Sequence, residues 1–188
     1  MLTLFYSPHM TSVDNEAGHA SGHANVPLSQ AGWASALELG QHYAQEDLDA
    51  VFCSDLLRAT ATAERAFAGR DIPIIPDKRL RECDYGKLTQ HPVIEIDKEF
   101  PRRIHTPFPG GQSVEMVVRG VGAFLREAIR IYDGKSIVVI GHRATKYALA
   151  YWHTSNSTLK EIVNTPWEWR DIPIWRYEFQ PEHLERAE

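Results

Sequence analysis

Residues 136–142 read Ser-Ile-Val-Val-Ile-Gly-His and carry the clearest strand signal in the chain. Ile137–Ile140 is an unbroken run of β-branched residues, which is typical of a strand buried on both faces of a sheet. A Gly-His pair ends the run, and a helix is predicted from about Arg143 to Trp152. A buried strand that leads directly into a helix is the repeating unit of a parallel α/β sheet.

The rest of the chain alternates strand and helix patterns in the same way. Further strands are predicted at Leu2–Tyr6, Ala50–Cys53, Ile72–Ile75 and Ile172–Phe179, with Pro73 favouring an edge position for the third of these. Helices are predicted after the capping residues Ser29, Ser54 or Asp55, and Ser113, with an irregular helix near His91–Phe100. This alternation predicts an α/β fold, a three-layer α/β/α sandwich with a mostly parallel central sheet.

Two of the predicted helices show an apolar face. In the helix after Ser29 the face is Ala31, Ala34, Leu37, Leu39 and Tyr43. In the helix after Ser113 it is Met116, Val117, Val121, Phe124 and Leu125. Because apolar residues at helical spacing face the core of a globular protein, both faces are expected to pack on the sheet.

The length of 188 residues suits one domain over residues 1–188, since a domain typically has roughly 150 residues. Residues 84–109 lack a periodic pattern and are interpreted as an irregular insert, and residues 181–188 as a frayed tail. Thr11–Pro27 is predicted to be a long loop, and loops of that length in compact domains are usually functional or mobile.

The composition fits an ordinary globular protein and excludes several classes. Hydrophobic residues make up 43% and charged residues 24% of the chain, which is enough for a core. The apolar runs fall far short of the ~20 residues needed to span a bilayer, and no secretory signal is recognised. Two cysteines are too few for a disulfide scaffold, so a reducing cytoplasm is expected. The net charge of −5 argues against a nucleic-acid partner, and an anionic substrate needs a locally positive pocket.

Three residues suited to anion chemistry follow predicted strands. His9 comes after the first strand, Arg58 lies one turn into the helix after the second, and His142 follows Ile137–Ile140. The carboxyl ends of parallel strands meet at one edge of a sheet, where open α/β sheets bind their ligands. Because guanidinium groups and helix N-termini both favour phosphate, these residues predict an anion pocket at that edge.

Five short motifs follow one another along the chain. They are Pro27-Leu28-Ser29 with Gly32, the Ser-Asp-Leu-Leu-Arg-Ala-Thr-Ala-Thr-Ala run at Ser54–Ala63, Leu80-Arg81-Glu82, Pro-Gly-Gly-Gln-Ser at 109–113, and Val-Val-Ile-Gly-His at 138–142. In these motifs and their order the sequence resembles the histidine phosphatase superfamily, which includes the phosphoglycerate mutases. The resemblance extends from Leu2 to about Ala150 and implies a phosphoglycerate mutase-like fold.

The resemblance also implies a role for each site residue. His9 is then the nucleophile that forms a phosphohistidine, and Arg58 and His142 hold the phosphoryl oxygens. Glu82 protonates the leaving oxygen and then activates water as a base. Neutral hydrogen-bond donors are added by Ser12 and Asn15. This chemistry uses no metal ion and no cofactor, and its partner is a small phosphorylated substrate or inorganic phosphate.

Three positions beside the histidines depart from the family's pattern. The family's Arg-His-Gly is here Pro8-His9-Met10, so one arginine is missing, and Arg143 stands where the family has a glycine after its second histidine. A lost charged hydrogen bond to phosphate costs roughly 1.5–3 kcal/mol, which weakens a phosphatase without necessarily abolishing it. Arg143 is therefore a candidate substrate-binding residue that returns the missing charge. Alternatively, it faces solvent or pairs with a nearby carboxylate.

The leading interpretation is a metal-independent hydrolase of a small phosphomonoester. Two alternatives stay open, because function depends on the site and not on the fold. One is a divergent member of the family that binds an anionic ligand or partner with little or no turnover. The other is a phosphotransferase of the phosphoglycerate mutase type. Activity on a generic phosphomonoester, with a His9→Ala variant as blank, discriminates between turnover and binding alone.

Two other residue groups receive structural interpretations. His19 and His23 lie on the predicted loop without a helix to fix them, so contacts at the pocket rim are expected and a metal site is not. Four tryptophans are expected in the core or on an oligomer surface, which leaves a homodimer possible; they are Trp152, Trp167, Trp169 and Trp175.

Overall fold

The computed structural model describes residues 1–154, 156–165 and 173–185. Its strands are β1 (Leu2–Pro8), β2 (His19–Ala20), β3 (Ala50–Cys53), β4 (Ile74–Pro76), β5 (His91–Pro92), β6 (Ser136–Gly141) and β7 (Trp175–Phe179). Its helices are α1 (Val13–Glu16), α2 (Gln30–His42), α3 (Leu57–Ala66), α4 (Val93–Glu99), α5 (Val114–Ile131), α6 (Arg143–His153) and α7 (Leu159–Val163). No helix in these ranges is long and apolar enough to cross a membrane.

A five-stranded sheet forms the centre of the molecule. Its order is β4-β3-β6-β1-β7, with β7 antiparallel to β1 and the other neighbours parallel. The strand predicted from Ile137–Ile140 lies in the middle as β6, and those four side chains are fully buried. Pro73 directly precedes β4, which is an edge strand. The prediction of a mostly parallel central sheet is confirmed.

Helices cover both faces of this sheet. Ile137 and Val139 point to the face covered by α5 and α6. Val138 and Ile140 point to the opposite face, which is covered by α2 and α3. Successive residues of a strand face opposite sides, so one buried strand supplies both halves of the core. The three-layer α/β/α arrangement predicted from the sequence is confirmed.

Two of the three predicted helix caps are confirmed. The Ser29 hydroxyl accepts a hydrogen bond from the amide of Gly32, and the Ser113 hydroxyl accepts one from the amide of Met116. The third prediction is wrong, because α3 begins after Leu56 and has no side-chain cap. The Ser54 hydroxyl accepts instead from the Leu56 amide, so it stabilises the turn that leads into the helix.

The predicted apolar face of α2 is wrong for three of its five residues, while Leu39 and Tyr43 are buried as expected. Ala31, Ala34 and Leu37 are exposed, whereas the buried residues of the helix are Gly32, Ala36 and Leu39. Glycine decides the orientation: a Cβ on Gly32 would overlap the carbonyl oxygen of Thr11, and a Cβ on Gly40 would overlap that of Ala66. In α5 most of the predicted face is buried, but Met116 is exposed.

The insert and the tail contain more structure than the sequence indicated. The predicted loop at Thr11–Pro27 contains α1 and β2, and β2 pairs with β5 of the insert in a separate two-stranded ribbon. The insert also contains α4, which confirms the helix predicted near His91–Phe100, and its Phe100 and Phe108 are buried in the core. The tail is not frayed over Pro181–Leu184, which forms a 3-10 turn with a buried Leu184.

Some predictions fall outside the described residues. These are the start of the last predicted strand at Ile172, the end of the tail at 186–188, and the tryptophans Trp167 and Trp169. Within the described part, Trp152 is buried and its indole N–H donates to the carbonyl oxygen of Val118 at 2.8 Å. Trp175 packs partly buried against the same core.

Candidate active site

A cavity of about 500 Å³ opens at the carboxyl edge of the sheet, beyond the end of β1. Five of the seven residues predicted from the sequence line it, namely His9, Asn15, Arg58, Glu82 and Arg143. His142 and Ser12 are buried behind them, with 1% and 0% of their surfaces exposed. The structure therefore brings the predicted residues together at the carboxyl edge of the sheet.

His9 lies at the point where β1 meets β6. Its amide donates to the carbonyl oxygen of Gly141 at 2.9 Å, which fixes the backbone beside the central strand. The ring Nδ1 lies 2.7 Å from the carbonyl oxygen of Met10, and because a carbonyl only accepts, Nδ1 carries the hydrogen. Nε2 is therefore the unprotonated ring nitrogen, which carries the electron pair. Burial, and then the charge of Arg58, lower the pKa of His9 to about 3, so the ring is neutral.

Arg58 is the buried cation of the site and contacts both histidines. Its Nε donates to His9 Nε2 at 3.1 Å, and its Nη2 lies 3.4 Å from Nδ1 of His142. Two backbone carbonyls hold the other side of the guanidinium, those of Ala24 at 3.0 Å and Gly22 at 2.8 Å. These contacts set the plane of the guanidinium beside Nε2 of His9.

His142 lies next to His9, with 5.0 Å between the two ring centroids. Its main chain is anchored twice, since the Tyr6 hydroxyl donates to its carbonyl oxygen and its amide donates to the Thr145 hydroxyl. Burial, and then the charge of Arg58, hold the pKa of His142 well below its ordinary value. With Nδ1 accepting from Arg58, Nε2 carries the hydrogen. This buried Nε2 has no hydrogen-bond partner among the described residues, so it is a donor that a phosphoryl oxygen can satisfy.

Glu82 is 7% exposed and is held by backbone amides. Its Oε1 accepts from the amide of Cys83 at 2.7 Å and from the amide of Ala144, in the first turn of α6, at 3.3 Å. No described residue donates to Oε2. The carboxyl group therefore has one fixed oxygen and one oxygen available to a ligand in the cavity.

Ser12 and Asn15 form a unit in the first turn of α1. The Ser12 hydroxyl donates to Asn15 Oδ1 at 2.9 Å and accepts from the Asn15 amide at 3.2 Å. Asn15 Oδ1 also accepts from the Ser12 amide. Only Asn15 reaches the cavity wall, where its side-chain NH₂ remains as a donor. Ser12 thus orients Asn15 from behind, whereas the sequence suggested a direct contact with the ligand.

Arg143 lines the cavity but is held away from the histidines. Its guanidinium forms an ion pair with Asp97 of α4 and lies 4.4 Å from the centre of the Phe100 ring. Of the sequence-based alternatives for this residue, pairing with a nearby carboxylate is the one seen in the structure. Among the residues that the structure describes, the arginines in the cavity wall beside Pro8 are Arg58 and Arg143.

Several residues of the site were not predicted from the sequence. Asp97 and Tyr85 line the cavity, as does Ser21, whose hydroxyl is buried without a hydrogen-bond partner. The carbonyls that hold Arg58 have no signature in the sequence, because every residue has one. His19 lines the cavity, whereas His23 turns to the backbone of Glu82. In the described part of the chain, no three His, Cys, Asp or Glu residues are placed to hold a metal ion.

The family model described as the histidine phosphatase superfamily (branch 1) matches residues 9–183 of this chain. The chain belongs to the histidine phosphatase superfamily. The resemblance found in the sequence motifs is confirmed, and the family together with its phosphatase relatives supports a hydrolase of phosphoric monoesters.

Individual relatives support the same assignment. The chain is 28% identical over 157 residues to phosphoserine phosphatase 1 of Hydrogenobacter thermophilus, covering 79% of this chain and 74% of the relative. It is 30% identical over 160 residues to the 2,3-bisphosphoglycerate-dependent phosphoglycerate mutase of Rhizobium etli, covering 77% of each. The solved structure of Bacillus stearothermophilus YhfR superposes with a TM-score of 0.84 at 22% identity, over 98% of this chain and all of that one. The histidine phosphatase superfamily thus contains both hydrolases and mutases similar to this chain.

Proposed function

We propose that this chain hydrolyses small phosphomonoesters through a phosphohistidine on His9. The observation that supports this proposal best is the state of the His9 ring. Its Nδ1–H is fixed by the Met10 carbonyl, which leaves the electron pair of Nε2 directed at Arg58. A neutral imidazole nitrogen beside a buried guanidinium is suited to attack phosphorus where negative charge is stabilised.

The first step transfers the phosphoryl group to the enzyme. Arg58 exchanges its hydrogen bond with His9 Nε2 for one with a phosphoryl oxygen. Nε2 then forms a bond to phosphorus while the ester P–O bond breaks, and the electron pair of the broken bond goes to the leaving oxygen. Glu82 lines the same cavity with a free Oε2, from which a proton passes to that oxygen. The products are an alcohol and a phosphohistidine.

The second step returns the enzyme to its starting state. The Glu82 carboxylate takes a proton from water, the water oxygen attacks phosphorus, and the bond to Nε2 breaks to release inorganic phosphate. In both steps the phosphoryl oxygens need donors. Arg58, the unpartnered Nε2–H of His142 and the NH₂ of Asn15 supply them. All of these groups belong to the chain, so the proposed reaction uses no metal ion or cofactor.

The substrate is proposed to be a small phosphorylated metabolite. A volume of about 500 Å³ is in the range of small-molecule sites. The relatives include proteins named for phosphoserine and for phosphoglycerate, which provides a first set of compounds to test.

The proposed setting is the cytoplasm, without a nucleic-acid partner. Cys53 and Cys83 are buried free thiols, and burial raises the pKa of Cys53 to about 12. Such thiols are stable in a reducing compartment. The net charge of −5 supports the absence of a nucleic-acid partner, and a homodimer stays a prediction from the sequence.

The test is hydrolysis of p-nitrophenyl phosphate in buffer containing a chelator, with His9→Ala as the blank. Acid quenching during turnover should show no stable phosphoprotein, whereas alkaline quenching should trap one, because a phosphorus–nitrogen bond is labile to acid and stable to base. The trapped group must be absent from His9→Ala. Phosphate binding without turnover would support the ligand-binding alternative, and transfer to a phosphoglycerate rather than to water would support the mutase alternative.

A further inference from the structure

The segment from Gly22 to Ala24 contacts both Arg58 and the main chain of Glu82. The carbonyl oxygens of Gly22 and Ala24 accept from the guanidinium of Arg58. Between them, the side chain of His23 points to the segment that contains Glu82. Three consecutive residues thus join the phosphoryl-binding arginine to the acid.

The contact of His23 with this segment has a defined direction. Nε2 of the ring lies 2.8 Å from the carbonyl oxygen of Glu82, and since a carbonyl only accepts, Nε2 is the donor. Nδ1 lies 3.8 Å from Asp84 Oδ2, and about a quarter of the side-chain surface is exposed. His23 is therefore a partly buried side chain with both nitrogens directed at one short segment.

Apart from the hydrogen bond that Glu82 Oε1 accepts from the amide of Ala144 in α6, the other contacts of residues 81–84 lead away from the cavity. Arg81 forms a two-pronged ion pair with Asp55, at 2.6 and 2.7 Å, and the Asp84 carbonyl accepts from the amide of Gln112. These contacts fix the segment to its own side of the fold. The hydrogen bond from His23 fixes it relative to Arg58 and, through Arg58, relative to His9.

We propose that His23 is a positioning residue that sets the distance between Glu82 and the phosphoryl group on His9. This inference rests on the proposed function, because it assigns to His23 the placement of the proposed acid. His23 itself touches neither the substrate nor the reacting atoms. Proton transfer needs the donor within hydrogen-bond reach of the leaving oxygen, and a displacement of about 1 Å can cost up to about a hundredfold in rate.

Leaving-group dependence separates this role from a general structural one. An alkoxide is a poor leaving group and needs a proton in the transition state, whereas p-nitrophenolate leaves without one. A displaced Glu82 therefore slows hydrolysis of β-glycerol phosphate and has little effect on p-nitrophenyl phosphate. Damage to the phosphoryl site slows both, because both substrates use His9 and Arg58 in the same way.

The experiment measures kcat/KM for both substrates with three His23 variants. In His23→Leu the donor is lost, and the value for β-glycerol phosphate should fall about tenfold more than that for p-nitrophenyl phosphate. His23→Gln places an amide NH₂ near the position of Nε2 and should restore the wild-type ratio of the two values. If thermal unfolding shows that His23→Leu is not folded, His23→Asn replaces it, because the asparagine side chain is too short to reach the Glu82 carbonyl.

The control Glu82→Gln distinguishes failure of this inference from failure of the proposed function. If the wild-type protein hydrolyses neither substrate, or if Glu82→Gln slows both equally, the proposed chemistry is wrong and the role of His23 falls with it. If Glu82→Gln is selective for the poor leaving group and the donor-free His23 variant slows both substrates equally or neither, only the positioning role is refuted.

Discussion

Replacing Arg143 by methionine should leave phosphate affinity almost unchanged, in contrast to the same replacement at Arg58. Arg143 is already paired with Asp97 and stacked on Phe100, so its charge is not directed at the histidines. Arg58 lies within 3.4 Å of both imidazoles and has its charge at the phosphoryl position. The two arginines line one cavity, which makes each the control for the other.

The expected losses of phosphate affinity differ by about threefold at the least and about 100-fold at the most. Arg58→Met removes charged hydrogen bonds to the ligand, worth roughly 1.5–3 kcal/mol, so phosphate binding weakens about 10- to 100-fold. Arg143→Met removes a partly exposed ion pair, with 22% and 46% of the two side chains exposed, and a cation–π contact. These cost roughly 1 kcal/mol of folding stability, and phosphate affinity stays within about threefold.

The assay is titration calorimetry of inorganic phosphate, with vanadate inhibition of turnover as a second readout, at fixed pH and ionic strength. The thermal unfolding temperature of each variant confirms that the protein titrated is folded. A loss of affinity in Arg143→Met equal to that in Arg58→Met would refute the reasoning. It would mean that Arg143 leaves Asp97 when the anion arrives and replaces the arginine missing at Pro8.

Two further predictions concern stability. The pKa of His9 is lowered to about 3, below its ordinary value near 6.5, so the unfolded chain binds a proton there that the folded chain does not. The contribution of the neutral His9 ring to the free energy of unfolding is therefore fully present above about pH 6.5 and declines as the pH falls toward 3. Urea unfolding measures this at pH 7.5 and pH 5. Between the two, the free energy of unfolding of the wild type should fall by about 2 kcal/mol more than that of His9→Gln, and equal falls would contradict the lowered pKa. Gly40→Ala should destabilise by roughly 1–3 kcal/mol because its Cβ overlaps the Ala66 carbonyl. The matched control is Gly120→Ala in α5, where the new Cβ would lie 3.7 Å from its nearest neighbour. This replacement should raise stability by up to about 1 kcal/mol, and equal effects at the two glycines would show that packing is not the cause.

The amino-acid sequence determined the fold and most of the candidate site. β6, the caps at Ser29 and Ser113 and the alternation of strands and helices follow from patterns within a few residues, which local sterics and burial enforce. The meeting of His9, Arg58 and His142 was also predictable. Parallel strands place their carboxyl ends at one edge, so residues after β1, β3 and β6 must converge there.

The tertiary structure decided what each of these residues contacts. Glycine contacts set the buried face of α2, and a carboxylate from the irregular insert captured Arg143. Backbone carbonyls of Gly22 and Ala24 fixed Arg58, and His23 reached the carbonyl of Glu82 across 59 positions of sequence. The physical reason is the same in each case. These interactions join segments far apart in the chain through groups, such as carbonyl oxygens and absent Cβ atoms, that leave no periodic pattern in the sequence.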